Sequence, residues 1–387
     1  MSARGTPVGV PFQQGEESCM SDDAASSTRA EIGLAGAGQT VATFEEDRPS
    51  AVRRIQAFLH DNPTSIPFIV LLFGVVLFTI AAPGKFLSPL NLSVVLQQVT
   101  IIAILGIAQT LVILTAGIDL SVGAIMILCH VVMGRTAVVY GWPVEAAFVL
   151  GLLVGLACGF VNGLIVTRLQ LPPFIVTLGT WSIFGALNTW YSRSETIRAV
   201  DMEAQAPFLL WMGKLIKLWQ DLGFEMPFLR GWVVTYGSLL MIILALVVSY
   251  VLTRTAFGRH VYATGDDPDA ARLSGINTDR TLLAVYALAG FVCAIAAWVL
   301  IGRIGGVSPQ AGLTANLDSI TAVVIGGTSL FGGRGSIIGT LFGALIVGVF
   351  RNGLALSGLE VLWQDFAVGV LIIVAVTIDQ WIRKIAA

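Results

Sequence analysis

The side chains that could do chemistry in this chain are few and scattered. His60, His130 and His260 lie far apart, and Cys19, Cys129, Cys158 and Cys293 form no CxxC pair. That pattern offers no metal-ligand spacing and argues against disulfides. No Ser-His-Asp set, HExxH motif or pair of catalytic carboxylates can be assembled. The glycine-rich tract 323–335, VVIGGTSLFGGRG, permits tight turns and close backbone approach. It lacks the GxxxxGK[ST] spacing of a nucleotide phosphate loop, as does the rest of the chain. The expectation is no catalytic residue, no metal and no cofactor.

What remains is polar groups set among apolar ones. Asp119 and Asp318 each begin an apolar run, beside Ser121 and Ser319. A carboxylate there either caps a helix, accepting from its free N–H groups, or lines a polar pathway. Gln109, Thr177, Thr180, Trp181, Asn188, Thr321, Thr328 and Ser329 add hydroxyl, amide and indole groups without fixed charge. Such groups either fasten helix to helix or face a solute. A pathway lined this way suits a neutral, hydroxyl-rich solute better than an ion.

The elements that carry these residues belong to a membrane. Of 387 residues, 56% are hydrophobic and 12% charged, about half the charged share of a soluble domain. A bilayer admits only helices or closed barrels, and ten-residue alternation is missing, so the expected fold is all-α and polytopic. Ten spans are read, at about 66–82, 92–116, 119–140, 143–166, 172–191, 233–252, 281–301, 318–332, 335–356 and 361–382. Glycine and polar interruptions leave room for one or two re-entrant segments. Residues 1–50, rich in Gly, Ser, Ala and Glu without periodicity, read as a disordered cytoplasmic tail, and 51–60 as a surface stretch before the first span. A net charge of -2 leaves no footprint for nucleic acid. With both termini inside, Arg53, Arg54, Arg168, Arg254, Arg259, Arg272, Arg280, Arg334, Arg383 and Lys384 are cytoplasmic. The bias favours that orientation if the external loop 192–232 is set aside, and nearly balances if it is counted. Trp211, Trp219 and Trp232 with Lys214 and Lys217 give that loop the composition of an interfacial helix.

One polar island, within the loop 254–280, carries its own helix signals. Asp267 can N-cap, Pro268 fits the first helical position, Asp269 sits at the positive end of the dipole, and Gly275 can supply a left-handed stop. A helix over 268–274 is too short to persist alone and must dock on something. It is either a well-capped surface loop or a part that transmits force to a partner.

Glycines recur every fourth residue at Gly151, Gly155, Gly159 and Gly163, and again at Gly335, Gly339 and Gly343. These ridges read as packing seams. A second echo pairs LTAGID (114–119) with LTANLD (313–318), and Asn162-Gly163-Leu164 with Asn352-Gly353-Leu354. The copies are five spans apart, which reads as an inverted repeat of the kind found in transporters.

In this order, LTAGIDLSVGAI (114–125), NGLIVTRLQLPPFIVTLGT (162–180), ATGDDPDAARLSGIN (263–277), AVVIGGTSLFGGRGSIIGTLFGALIVGV (322–349) and WQDFAVGVLIIVAVTID (363–379) resemble the permease subunits of bacterial ABC importers for monosaccharides. The class is that of ribose, xylose and galactose. The resemblance implies a homodimeric channel in the inner membrane, an ABC ATPase pair or tandem ATPase on the cytoplasmic side, and a periplasmic sugar-binding protein. The substrate would be a pentose or hexose, fructose-like sugars among them. It also makes 268–274 the coupling helix, with Gly265, Ala270, Ala271, Arg272, Gly275 and Ile276 on the family's pattern. The run 181–197 and the long loop to Arg230 depart from that pattern, and 1–50 lie outside it. The rival is an ion-coupled secondary sugar transporter with Asp119 or Asp318 as ion ligands.

Overall fold

A computed structural model describes residues 65–217, 231–312 and 314–386. The tail 1–50 and the stretch 51–60 lie outside the described residues. In chain order the α-helices are α1 Ser65–Ala81, α2 Pro89–Leu114, α3 Val122–Val138, α4 Val144–Leu169, α5 Pro173–Ser192, α6 Ala199–Gln205 and α7 Tyr236–Arg254. They continue with α8 Ala256–Asp266, α9 Pro268–Leu273, α10 Thr278–Ile304, α11 Ala315–Ile325, α12 Ile337–Leu356 and α13 Val361–Ala386. Ten of these occupy the ten apolar runs, so the all-α, multi-pass expectation holds.

The bundle is built around α2. Ser88 caps it, accepting from the Asn91 N–H, and Pro89 supplies its preset first position. Every residue from Val99 to Leu114 is buried, as an all-round apolar helix requires. Helices α7, α10, α11 and α12 pack around it. The opposite condition holds at the periphery, where Phe73 (α1), Trp190 (α5), Leu246 (α7) and Leu362 (α13) are exposed.

The glycine ridges are seams. A Cβ on Gly155 would stand 2.5 Å from the Gly290 carbonyl oxygen and 2.7 Å from the Ala294 methyl of α10, and one on Gly159 would fall on the Tyr286 carbonyl. On α12, Gly339 and Gly343 meet the Gly326 and Ala322 carbonyls in the same way. Backbones this close gain dispersion contacts that no side chain could mediate.

One expectation needs correction. The span read at 318–332 is helical only as α11, eleven residues, about 16 Å of rise against a hydrocarbon core of about 30 Å. Its helix stops at Gly326, because the tract beyond it places Gly327, Gly332 and Gly333 at positive φ, which a helix cannot continue. The chain ahead of α11 is non-helical, mostly turns and bends in its described residues, and runs along α3. Val307 packs on Gly134, the Ser308 N–H donates to His130 Nε2 at 3.1 Å, Gly312 lies against Met126, and Asn316 donates to the Leu120 carbonyl at 2.7 Å. Non-helical backbone thus runs beside α3, with Gly306 and Val307 buried and Gln310, Gly312 and Thr314 exposed. Of the loop 192–232, residues 218–230, Trp219 among them, lie outside the described residues; the described part holds α6 and a 3₁₀ turn at Trp211–Gly213, and β1 (Leu215–Lys217) pairs antiparallel with β2 (Val233–Thr235), just ahead of α7. The β-branched residues of VVT, opposite LIK, favour pairing over a helix.

Candidate functional site: the coupling loop and the two repeat loops

The island at 254–280 is a helix pair. Thr255 caps α8, accepting from the Gly258 N–H at 3.3 Å. Asp267 caps α9, accepting from the Asp269 and Ala270 N–H groups at 2.9 and 3.0 Å. Gly275 takes φ +85°, and the Ile276 N–H returns to the Ala271 carbonyl at 3.0 Å, closing the helix C-terminus. Ala271 is buried beneath α9 while Ala270 faces outward. Arg272 does not reach away from the molecule. Its Nε donates to Thr278 Oγ1 at 2.9 Å, and its guanidinium lies 3.3 Å from Asp269 and 3.8 Å from Asp279. It fastens α9 to the start of α10. At the other end Gly265 packs backbone to backbone on Leu114. The outermost apolar group is Leu273, 90% exposed, which by sequence alone is no more than a helix former. A large apolar side chain held out on a rigid, capped turn is suited to entering a partner's groove.

The first repeat loop joins α2 to α3. Asp119 is not the N-cap of α3; Ser121 holds that position. Asp119 Oδ1 accepts from the Ser121 N–H at 2.7 Å and from Ser121 Oγ at 2.6 Å. Asn162, on the ridged helix α4, donates to the same Ser121 Oγ at 2.8 Å. Thr177 at the start of α5 donates to the Ile118 carbonyl at 2.9 Å. Asp119, Ser121 and Thr177 are therefore brought together, all fully buried.

The second repeat loop leads into α11. Asp318 lies in the first turn of that helix rather than before it, and Arg351 of α12 donates to it at 2.7 Å. Arg351 also stands 3.1 Å from Asp365 at the start of α13. Each ridged helix thus reaches the loop of its own copy of the echo, α4 through Asn162 on Ser121 and α12 through Arg351 on Asp318. Asn352, the echo of Asn162, pairs instead with Asn91 at 2.9 and 3.0 Å. Asn316 ties the two loops to each other, through the Leu120 carbonyl and the Gly123 N–H.

The remaining candidates are dispersed. Gln109 is fully buried in α2, and neither end of its amide has a hydrogen-bond partner among the described residues. Thr180 turns back to the Thr177 carbonyl at 3.3 Å, and Asn188 holds the turn ahead of α11 through the Pro309 carbonyl at 3.0 Å. Thr328 packs on Gly335, and Ser329 accepts from the Phe331 N–H at 3.2 Å. Among the pathway candidates only Trp181 is open, at 48% exposure. Asn91, Asn316 and Arg351 do not stand out as site residues in the sequence. The one signal for Asn316 is its place in the echo, where the first copy has Gly117.

Comparison with known proteins decides the family. The model of the family described as branched-chain amino acid transport system / permease component matches residues 91–376. The chain belongs to that family. Among curated relatives, this permease is 52% identical to the fructose import permease protein FrcC of Rhizobium meliloti, over 92% of this chain and 95% of the relative. It is 37% identical to the ribose import permease protein RbsC of Bacillus subtilis, over 81% and 92%. It is 34% identical to the xylose transport system permease protein XylH of Escherichia coli, over 79% and 89%. No solved structure matches it.

Proposed function

We propose that this permease is the membrane subunit of an ATP-driven importer that passes a monosaccharide, with fructose the first candidate. The carrying observation is the 52% identity to a fructose import permease across nearly the whole of both chains. The neutral polar groups of α5 and the repeat loops fit a hydroxyl-rich solute. Hydrolysis belongs to a partner ATPase, and a periplasmic sugar-binding protein delivers the sugar to a pathway between two copies of this chain in the inner membrane. Residues 51–387 make the permease domain, with both termini and the loop 254–280 in the cytoplasm and the loop 192–232 outside.

In this scheme α9 is the coupling helix. Asp267, Pro268, Arg272 and Gly275 set its shape, Ala270 and Leu273 meet the ATPase, and Gly265, Ala271 and Ile276 seat it on the bundle. Gln109, Asp119, Ser121, Thr177, Thr180, Trp181, Asn188, Asp318, Thr328 and Ser329 are the proposed pathway set. Trp181 is its open member, and the buried ones hold the pathway's walls in this conformation. A transport site that bound tightly would oppose release, so few fixed contacts are expected. The ion-coupled alternative would need Asp119 or Asp318 available to an ion; Asp318 is engaged by Arg351, and buried Asp119 accepts two hydrogen bonds from Ser121. The test is uptake of labelled fructose, ribose and xylose by vesicles containing the permease, its ATPase and its binding protein. Uptake of one sugar only with ATP supports the proposal; uptake that follows an ion gradient without ATP refutes it.

A further inference from the structure

A coupling helix must push against something, and at the foot of α9 three stretches of chain meet backbone to backbone. A Cβ on Gly265, in the last turn of α8, would fall on the Leu114 carbonyl oxygen at the end of α2. The same oxygen accepts the Gly333 N–H at 3.0 Å. A Cβ on Gly332 would stand 2.5 Å from the Gly265 oxygen and 2.8 Å from the Ala116 nitrogen, and one on Gly333 would stand 2.9 Å from the Asp266 Cα. Tyr262 closes the edge, donating to the Gly335 carbonyl at 2.9 Å. Ala116, Gly332 and Gly333 all take left-handed φ, at 59°, 85° and 69°. A side-chain contact can yield by changing rotamer; main chains in van der Waals contact have no such freedom.

From this point the chain leads directly to the repeat loops. Two residues beyond Ala116, the Ile118 carbonyl holds Thr177 at the start of α5, the helix that carries Trp181. Leu120 and Gly123 are held by Asn316 at the start of α11. On the other side, Gly332 and Gly333 belong to the turn beyond the end of α11.

Resting on the role of α9 as the contact with the ATPase, we propose that Gly265, Leu114, Ala116, Gly332 and Gly333 form a rigid relay, which carries a displacement of α9 to both repeat loops at once. The starts of α3, α5 and α11 then move together with the ATPase contact, and the contact between the three stretches persists through the cycle.

Two perturbations of opposite sense test this, both in the full transporter with its ATPase and binding protein. Asp266→Cys with Gly333→Cys places thiols across the junction; the two Cβ positions are 3.0 Å apart, so the added side chain itself crowds the contact and the reduced pair sets the reference. Oxidising that pair should cause no further loss of ATP-driven uptake, because a rigid contact does not need to open. Gly265→Ala wedges the junction apart and should lower uptake by about tenfold or more, within the range of coupling between distant sites, while ATP hydrolysis continues. Should that variant fail to assemble, Gly332→Ala places the wedge on the facing stretch. A disulfide that stops uptake until it is reduced overturns the relay, as does a wedge variant that assembles and transports normally. If the unaltered chain itself shows no ATP-driven uptake, the transport proposal fails instead.

Discussion

Adding one methyl group at Gly155 tests whether the ridge on α4 is a seam. The new carbon would lie 2.5 Å from the Gly290 oxygen and 2.7 Å from the Ala294 methyl. Ordinary contacts of this kind need about 3.5–4.0 Å, so α4 and α10 must part by about 1 Å. Overpacking of this sort costs about 1–3 kcal/mol. Glycine to alanine inside a helix also returns about 1 kcal/mol of propensity, which would mask part of the loss. A matched control removes that masking. Gly179 lies inside α5 with no atom within 4 Å of where its Cβ would be. Gly179→Ala should therefore be neutral or stabilising by up to about 1 kcal/mol, and Gly155→Ala should be less stable than it by about 1–3 kcal/mol. Reversible unfolding of the two variants in the same detergent or bicelle measures the difference. Equal stabilities would refute the seam, because propensity acts alike at both positions.

Three further outcomes are expected. Asp267→Ala removes the acceptor for two N–H groups of α9, costs about 1 kcal/mol locally, and should lower uptake without shifting global unfolding. Arg351→Met strands Asp318 beside a buried helix start and should destabilise by about 3–5 kcal/mol, while adding Asp318→Leu should recover most of that loss. Buried Arg135 donates to Glu195 at 2.8 Å, and this bond holds the Glu195 carboxyl below its usual range. A depressed carboxylate contributes stability above its unfolded pKa and loses it as pH falls through the lower folded value. Hydrogen exchange in residues 193–206 should therefore rise below the ordinary carboxylate range, and Glu195→Gln should remove that acid step.

Much of the bundle is legible in the sequence because apolar runs of the right length leave a membrane chain little choice but helix. The cap of α9 is legible for a similar reason, since Asp267, Pro268 and Gly275 each act through local backbone geometry. The second repeat is harder. The run at 318–332 is apolar enough for a span, and only the density of glycine after Ile325 marks where the helix must stop. The non-helical backbone at 305–312 leaves no periodic signature, because the groups that hold it, His130 and Asn188, lie more than a hundred residues away in sequence. The engagement of Arg351 by Asp318 and Asp365 depends on three helices converging, which no local pattern announces. Asp119 and Asp318 occupy matching positions in the echo yet have different partners, a serine with Asn162 in one copy and an arginine in the other. Sequence symmetry locates them without saying what they touch.

The most direct measurement is uptake of labelled fructose by vesicles holding this permease with its ATPase and binding protein. The account predicts accumulation that requires ATP and all three components, and that disappears when residues 266–272 are deleted although the permease remains folded in the membrane. Accumulation that survives the deletion, or that follows an ion gradient without ATP, would contradict it.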